Sequence, residues 1–279
     1  MEPAATLGAR IVKLVGGGEQ KRRPPRNSKP TMFLGVAMVA ALLLAGCSSP
    51  PPSAGGNNTG GNTTTGGGTT THPAATHLLM NTSMGDIRIL LHTDTAPVTA
   101  GNFLALAQKG YFDGQRFHRV IGPAKNPPEG FMDQAGDPLS KDVNQKARWG
   151  TGGPSCDLAP QYPCSNGQYT IPDEFACKDG TASSTWTGAR GDPCKDHQGL
   201  LYKFDHAGLM AMANTGRAHS GASQFFLTMA SATFLDGGYP VFGEVEGGIE
   251  VVKAIGAVPT DSSDRPITDV FIHQVTVVG

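Results

Sequence analysis

The chain carries almost no net charge: its 279 residues sum to a formal −1. Without a basic face, general nucleic-acid binding has no electrostatic basis, so no nucleic-acid partner is expected. The apolar run from Met32 to Gly46 falls short of the roughly 20 residues that cross a bilayer comfortably. Histidines are scattered, with no H-E-x-x-H and no pair four residues apart, and the cysteines form no C-x-x-C knuckle. Neither common zinc pattern is therefore present, and no metal is expected. There is no G-x-S-x-G elbow and no glycine loop closing on Lys-Ser/Thr, which leaves hydrolysis and phosphoryl transfer unsupported. Asp133 and Asp137 are close in sequence but have no nucleophile to serve as an acid/base pair. His118, inside a strand-like run, reads as a hydrogen-bonded core histidine rather than a ligand.

What is present begins with an export pattern. Lys21, Arg22, Arg23, Arg26 and Lys29 precede the short apolar run, the arrangement of a secretory signal. The run ends in "LAGC", Leu44 to Cys47, which resembles the bacterial lipobox. That resemblance implies cleavage before Cys47, a lipid on its thiol and attachment to the outer face of the bacterial cell membrane. An uncleaved anchor with a chance cysteine is the alternative. Twenty residues precede the basic cluster, long for a signal peptide, which points to a start further in. Residues 1–47 thus read as extension and signal. Residues 48–76, "SSPPPSAGGNNTGGNTTTGGGTTTHPAAT", have almost no large apolar side chains and cannot offset their chain entropy by burial. They read as a disordered tether with an end-to-end distance of roughly 30 Å.

From His77 to Gly279 the pattern is that of a folded domain. "HLLMNTSMGDIRILLH" predicts two strands about a turn at Ser83–Gly85, with Ile87, Ile89 and Leu91 on one face. "DTAPVTAGNFLALAQKG" predicts a helix capped by Asp94 or Thr95, with Pro97 in its first turn and Phe103, Leu106 and Ala107 buried. "GQRFHRVI", "GLMAMAN", "SQFFLTMA", "YPVFGEVE" and "VFIHQVTVV" read as further strands, and "GIEVVKAIG" as a second short helix. Many short strands with two helices suggest a closed antiparallel barrel.

Residues 138–197 break this pattern, being polar, rich in Gly and Pro, and holding Cys156, Cys164, Cys177 and Cys194. With Cys47 assigned to lipid, four cysteines remain, and an exported domain would oxidise them to two disulfides in one of three pairings. A loop of this length without its own core needs such staples.

Six blocks, "YFDGQRFHR", "FHRVI", "GFMDQAGDP", "GLMAMANTG", "SQFFLTMA" and "FLDGGYPVFGEV", occur in an order that resembles the cyclophilin family of peptidyl-prolyl isomerases, and its bacterial exported or lipoprotein branch in particular. The resemblance implies a mainly β fold, a closed eight-stranded antiparallel barrel capped by two helices, and isomerisation of X–Pro bonds without any cofactor. It implies that Arg119 donates to the prolyl nitrogen. Phe131, Met132, Phe226 and Leu235 would line the proline pocket, with Phe234 and Tyr239 at its edge. Gln134 and Gln224 would orient the arginine and the substrate backbone, and the main chain at Ala213 and Asn214 would pair with an extended peptide. Proline-containing segments of unfolded or exported proteins are the implied partners, and a monomer is expected. A proline-peptide binding module without turnover is the rival from another class.

The sequence departs from the family at several positions, Thr215 and Ala135 among them, which stand where the family has other small residues. Phe234 and Tyr239 stand where many members have Trp and His; without an indole N–H, weak cyclosporin binding is expected. The insert "GPAKNPPE" within residues 122–130 should lengthen a hairpin tip without moving its strands. The Cys-rich insertion is larger than the family's usual segment and reads either as exposed decoration or as a flap that selects substrates.

Overall fold

The computed structural model describes residues 76–278; the export segment, Cys47 and the tether up to residue 75 lie outside the described residues. Eight strands, β1 (Thr76–Thr82), β2 (Gly85–Leu91), β3 (Arg119–Ile121), β4 (Met132–Ala135), β5 (Leu209–Met212), β6 (Phe225–Thr228), β7 (Val241–Gly247) and β8 (Ile272–Val278), form one sheet. Its order is β8-β1-β2-β7-β5-β6-β4-β3 with antiparallel neighbours. Ile87, Ile89 and Leu91 are buried as their alternation requires.

The expected closed barrel is corrected: the sheet is open, with β3 and β8 as its edges. The run from Gly114 to Ile121 is not one strand, because it changes partner at His118. Before that point Gly114 and Phe117 donate to the carbonyls of Ile272 and Val270; from His118 on, the main chain pairs with β4. Such a change of partner interrupts the ladder, and the seam keeps only an isolated bridge, Arg116 to Phe271. Arg116 clasps that seam. Its Nε donates to Asp269 at 2.6 Å, its Nη1 to the carbonyls of Ser140 and Lys141, and its guanidinium lies over Phe271 and Trp149.

Helix α1 (Pro97–Gln108) seats Phe103 against Phe112, Phe225 and Phe242 inside the sheet. Neither Asp94 nor Thr95 caps it. Ala96 occupies the N-cap position and offers no side-chain bond. The carboxylate of Glu174, buried in the Cys-rich insertion, takes the N–H groups of Val98 at 3.1 Å and Thr99 at 2.8 Å. It satisfies two orphan donors and sets negative charge at the positive end of the helix dipole. Helix α2 (Ile249–Gly256) buries Val252 and Ile255 fully, with Ile249 packed at the margin.

The strands alternate between two apolar clusters on opposite faces of the sheet. Val120, Ala135, Met210, Met212, Phe225, Leu227 and Phe242 join the interior. Their neighbours Met132, Leu209, Ala211, Ala213, Phe226 and Val241 join a second cluster outside it. A sheet strand with one wet face reads apolar-polar; here both faces are apolar.

The insertion folds around its cysteines. Cys156 pairs with Cys164 and Cys177 with Cys194, with Cα separations of 5.7 and 5.5 Å, which selects one of the three possible pairings. The first pair closes a two-residue hairpin beside a 3-10 turn. The second sits in a small core of Phe175 and Leu200 under Trp186.

Candidate active site

The register of β3, β4, β6 and β5 places Arg119 opposite Gln134, Gln134 opposite Phe226, and Phe226 opposite Ala211. Side chains at directly paired positions share one face of a sheet, so a cation, an amide and an aromatic ring line up across the outer cluster. Met132, Phe226 and Leu235 are buried in that cluster, with Phe131 and Tyr239 packed against it. Phe131 meets Phe234 edge-on at 5.2 Å, and Phe226 meets Tyr239 edge-on at 5.4 Å. These rings wall a shallow apolar floor while Phe234 stays partly exposed. All of the apolar residues expected from sequence are therefore brought together.

The insert at 122–130 lies at the hairpin tip as expected. Phe131 N–H still bonds the carbonyl of Ile121 at 2.8 Å, and the Arg119–Gln134 register is kept. Gly122 at its base packs against the end of α2: a Cβ there would lie 1.8 Å from the carbonyl oxygen of Gly256, so no other residue fits without moving the hairpin.

The polar residues are wired differently from the expectation. Gln134 makes no bond to Arg119; its Nε2 donates to Oε1 of Gln224 at 3.0 Å. Gln224 in turn donates to the carbonyls of Gly150 at 3.1 Å and Gly152 at 2.8 Å. The two amides thus tie the site to the Cys-rich insertion. Arg119, with about half of its side chain exposed, pairs instead with Asp264, Nε to Oδ2 at 3.6 Å. The N–H of Ala213 is already used by the carbonyl of Gln224, so that donor cannot pair with a peptide. Asn214 turns its amide to the carbonyl of Gly238 at 2.7 Å, an oxygen that also accepts from Trp186 Nε1 at 3.0 Å.

A cavity of about 400 Å³ opens beside Gln134. Ala213–Thr215 form one wall; Gly150–Gly153 and Gln168–Thr170 of the insertion form another. Residues of the insertion thus line this cavity together with Gln134 and Gln224.

His118 is buried as expected, but neither ring nitrogen has a hydrogen-bond partner. Burial pushes its imidazole down to about 4, against the opposing pull of the Asp137 carboxylate. It stays neutral near pH 7. Asp137 is occupied with the N–H groups of Leu139, Gly150 and Gly152. Among the described residues no cluster of three His, Cys, Asp or Glu could hold a metal ion.

A sheet of this topology with an apolar groove, one arginine and paired amides defines a cyclophilin-like fold. The family model "Cyclophilin type peptidyl-prolyl cis-trans isomerase/CLD" matches residues 77–277, and the chain belongs to that family. Peptidyl-prolyl cis-trans isomerase-like 1 of Neurospora crassa is 34% identical over 206 residues, covering 73% of this chain and 95% of that protein. The isomerase ppi1 of Schizosaccharomyces pombe is 35% identical over 199 residues, covering 71% and 97%. A crystal structure of a Cryptosporidium parvum cyclophilin type isomerase superimposes with a TM-score of 0.54 at 25% identity, over 74% of this chain and 98% of that one. A second structure of that isomerase, in the presence of the dipeptide Ala-Pro, gives 0.53 at 25% identity, over 73% and 99%. The chain is a cyclophilin-type peptidyl-prolyl cis-trans isomerase. These relatives are eukaryotic and do not place it in a bacterial exported branch.

Asp264, Trp186 and Glu174 are absent from the sequence-derived site. Asp264 had one local signal, its place in the turn-rich run "PTDSSDRP".

Proposed function

We propose that the enzyme catalyses rotation about X–Pro bonds with Arg119 as the donor to the prolyl nitrogen, and that it acts on exported proteins while tethered through a lipid on Cys47. The observation that carries the chemistry is the register row that sets Arg119 and Gln134 on the same face of the sheet as Phe226, whose cluster also holds Met132 and Leu235.

Resonance gives the peptide bond a barrier of about 18–20 kcal/mol, and X–Pro exchange takes tens to hundreds of seconds. A donor aimed at the prolyl nitrogen draws its lone pair out of conjugation and so favours the twisted geometry over either planar state. Guanidinium suits this, being permanently charged and rigid in direction. The floor fixes the proline ring while the acyl side turns; a lowering of about 5–7 kcal/mol corresponds to four to five decades in rate. The Ala-Pro dipeptide in the Cryptosporidium parvum crystals supports a proline-containing substrate here. Gly150–Gly153 and Gln168–Thr170 would contact residues before the proline and select among substrates. The signal-like N-terminus and the two cysteine pairs support an oxidising compartment outside the cytoplasm.

The test compares the full chain with Arg119→Ala in a protease-coupled assay on an Ala-Pro peptide. Loss of one preorganised donor should lower kcat/KM by about 10²- to 10³-fold. The unfolding midpoint should stay in place, since the side chain is about half exposed. Activity within threefold of the parent would remove Arg119 from the mechanism.

A further inference from the structure

Three features lie outside the family-derived site: the Trp186 contact on Gly238, the buried Asp133 carboxyl, and the carboxylate of Asp264 beside Arg119. The last touches the reaction most directly. Asp264 sits in the loop before β8 with φ +62°, a left-handed conformation that Asp and Asn adopt more readily than other side-chain-bearing residues. Its carbonyl accepts the N–H of Val120 at 2.7 Å, which fastens the loop to β3 next to Arg119. The loop is held from within by Asp261, whose Oδ1 takes the N–H groups of Ser263 at 2.8 Å and Arg265 at 3.0 Å.

The carboxylate is shared. Oδ2 lies 3.6 Å from Nε of Arg119, while Oδ1 lies 3.4 Å from Nζ of Lys125. Lys125 belongs to the insert at the hairpin tip and is itself fixed by the carbonyl of Asp261 at 3.2 Å. The contact on Arg119 falls at Nε, the inner corner of the guanidinium, and not at its terminal amino groups. We propose that Asp264 is a positioning residue for Arg119, and that Lys125, by sharing its carboxylate, couples the insert to the arginine. This rests on the reading of Arg119 as the donor.

The pair is only partly buried and its two cations compete for one carboxylate, so the effect is moderate. Asp264→Asn keeps the left-handed backbone and the side-chain shape but removes the charge. In the full chain, kcat measured by NMR exchange on a saturating Ala-Pro peptide should fall about fivefold, with peptide Kd changed less than twofold. A residue that served only the loop would leave kcat alone. Lys125→Met frees the carboxylate to close on Nε and should raise kcat about twofold in the parent and not at all in the Asp264→Asn background. Addition of 0.5 M salt, which screens such pairs, should lower kcat in the parent and leave Asp264→Asn unchanged. Parent-like kcat in a folded Asp264→Asn overturns the positioning role, and a Lys125→Met effect that persists in that background overturns the coupling. Arg119→Ala run in parallel separates the two levels: if it retains activity the donor assignment fails, and if it is inactive while Asp264→Asn is parent-like, only the present inference fails.

Discussion

Asp133 offers a quantitative test of the fold around the site. It alternates with Met132 and Gln134, so it faces the interior, paired across the sheet with Val120 on one side and Leu227 on the other. It is wholly buried, neither carboxylate oxygen has a hydrogen-bond partner, and burial alone raises its pKa well above the usual carboxylate value. Well below pH 4 the folded and unfolded chains both keep the proton, and Asp133 adds no pH dependence. Above it the unfolded chain releases the proton and the folded chain does not, so stability falls as pH rises until the buried carboxyl ionises. The slope is about 1.4 kcal/mol per pH unit. Asp133→Asn is neutral in both states and lacks that slope. Its urea-unfolding free energy should therefore gain on the parent as pH rises above about 4.5, by at most about 1.4 kcal/mol per pH unit. Asp133→Val also removes the unsatisfied polar atoms and should gain about 1–3 kcal/mol more at every pH. His118 acts in the opposite sense: below pH 6.5 the unfolded imidazole takes up a proton that the folded one refuses until about 4, so its contribution is lost toward acid. That term is common to parent and variants, and only their difference is read. Parallel pH profiles for the parent and Asp133→Asn would refute the buried neutral carboxyl.

Two further outcomes are expected. Glu174→Ala strips the borrowed cap from α1 and should cost about 1–2 kcal/mol in urea unfolding, with faster amide exchange at Val98 and Thr99; unchanged exchange there would show that the carboxylate does not hold the helix. Phe234→Trp places an indole N–H at the exposed rim of the groove and should tighten cyclosporin binding by about tenfold, the weight of one hydrogen bond, as read by calorimetry; equal affinity would show that the missing donor does not limit that ligand.

The local features of the fold were legible because they are periodic. Ile87, Ile89 and Leu91 announce a strand, and Phe103, Leu106 and Ala107 a helix face. The apolar groove was legible through the ordered motif blocks, and its residues do meet. What escaped was pairing at long range between single polar residues. Glu174 to Thr99 and Gln224 to Gly152 span 75 and 72 positions, and no periodic trace records such bonds. The open seam escaped for a related reason: composition marks Gly114–Ile121 as strand-like, but only register shows that His118 changes partner.

The cap on α1 has a consequence for the order of events during synthesis. Chains emerge from the ribosome N-terminus first, at about 5–20 residues per second. When Thr99 appears, the carboxylate that will hold it is still 75 residues from being made, several seconds away at that pace. The first helix must wait, frayed at its leading turn, for a later part of the message to be read. The insertion thus supplies, from a later stretch of chain, two bonds that the helix seating Phe103 lacks when it is made.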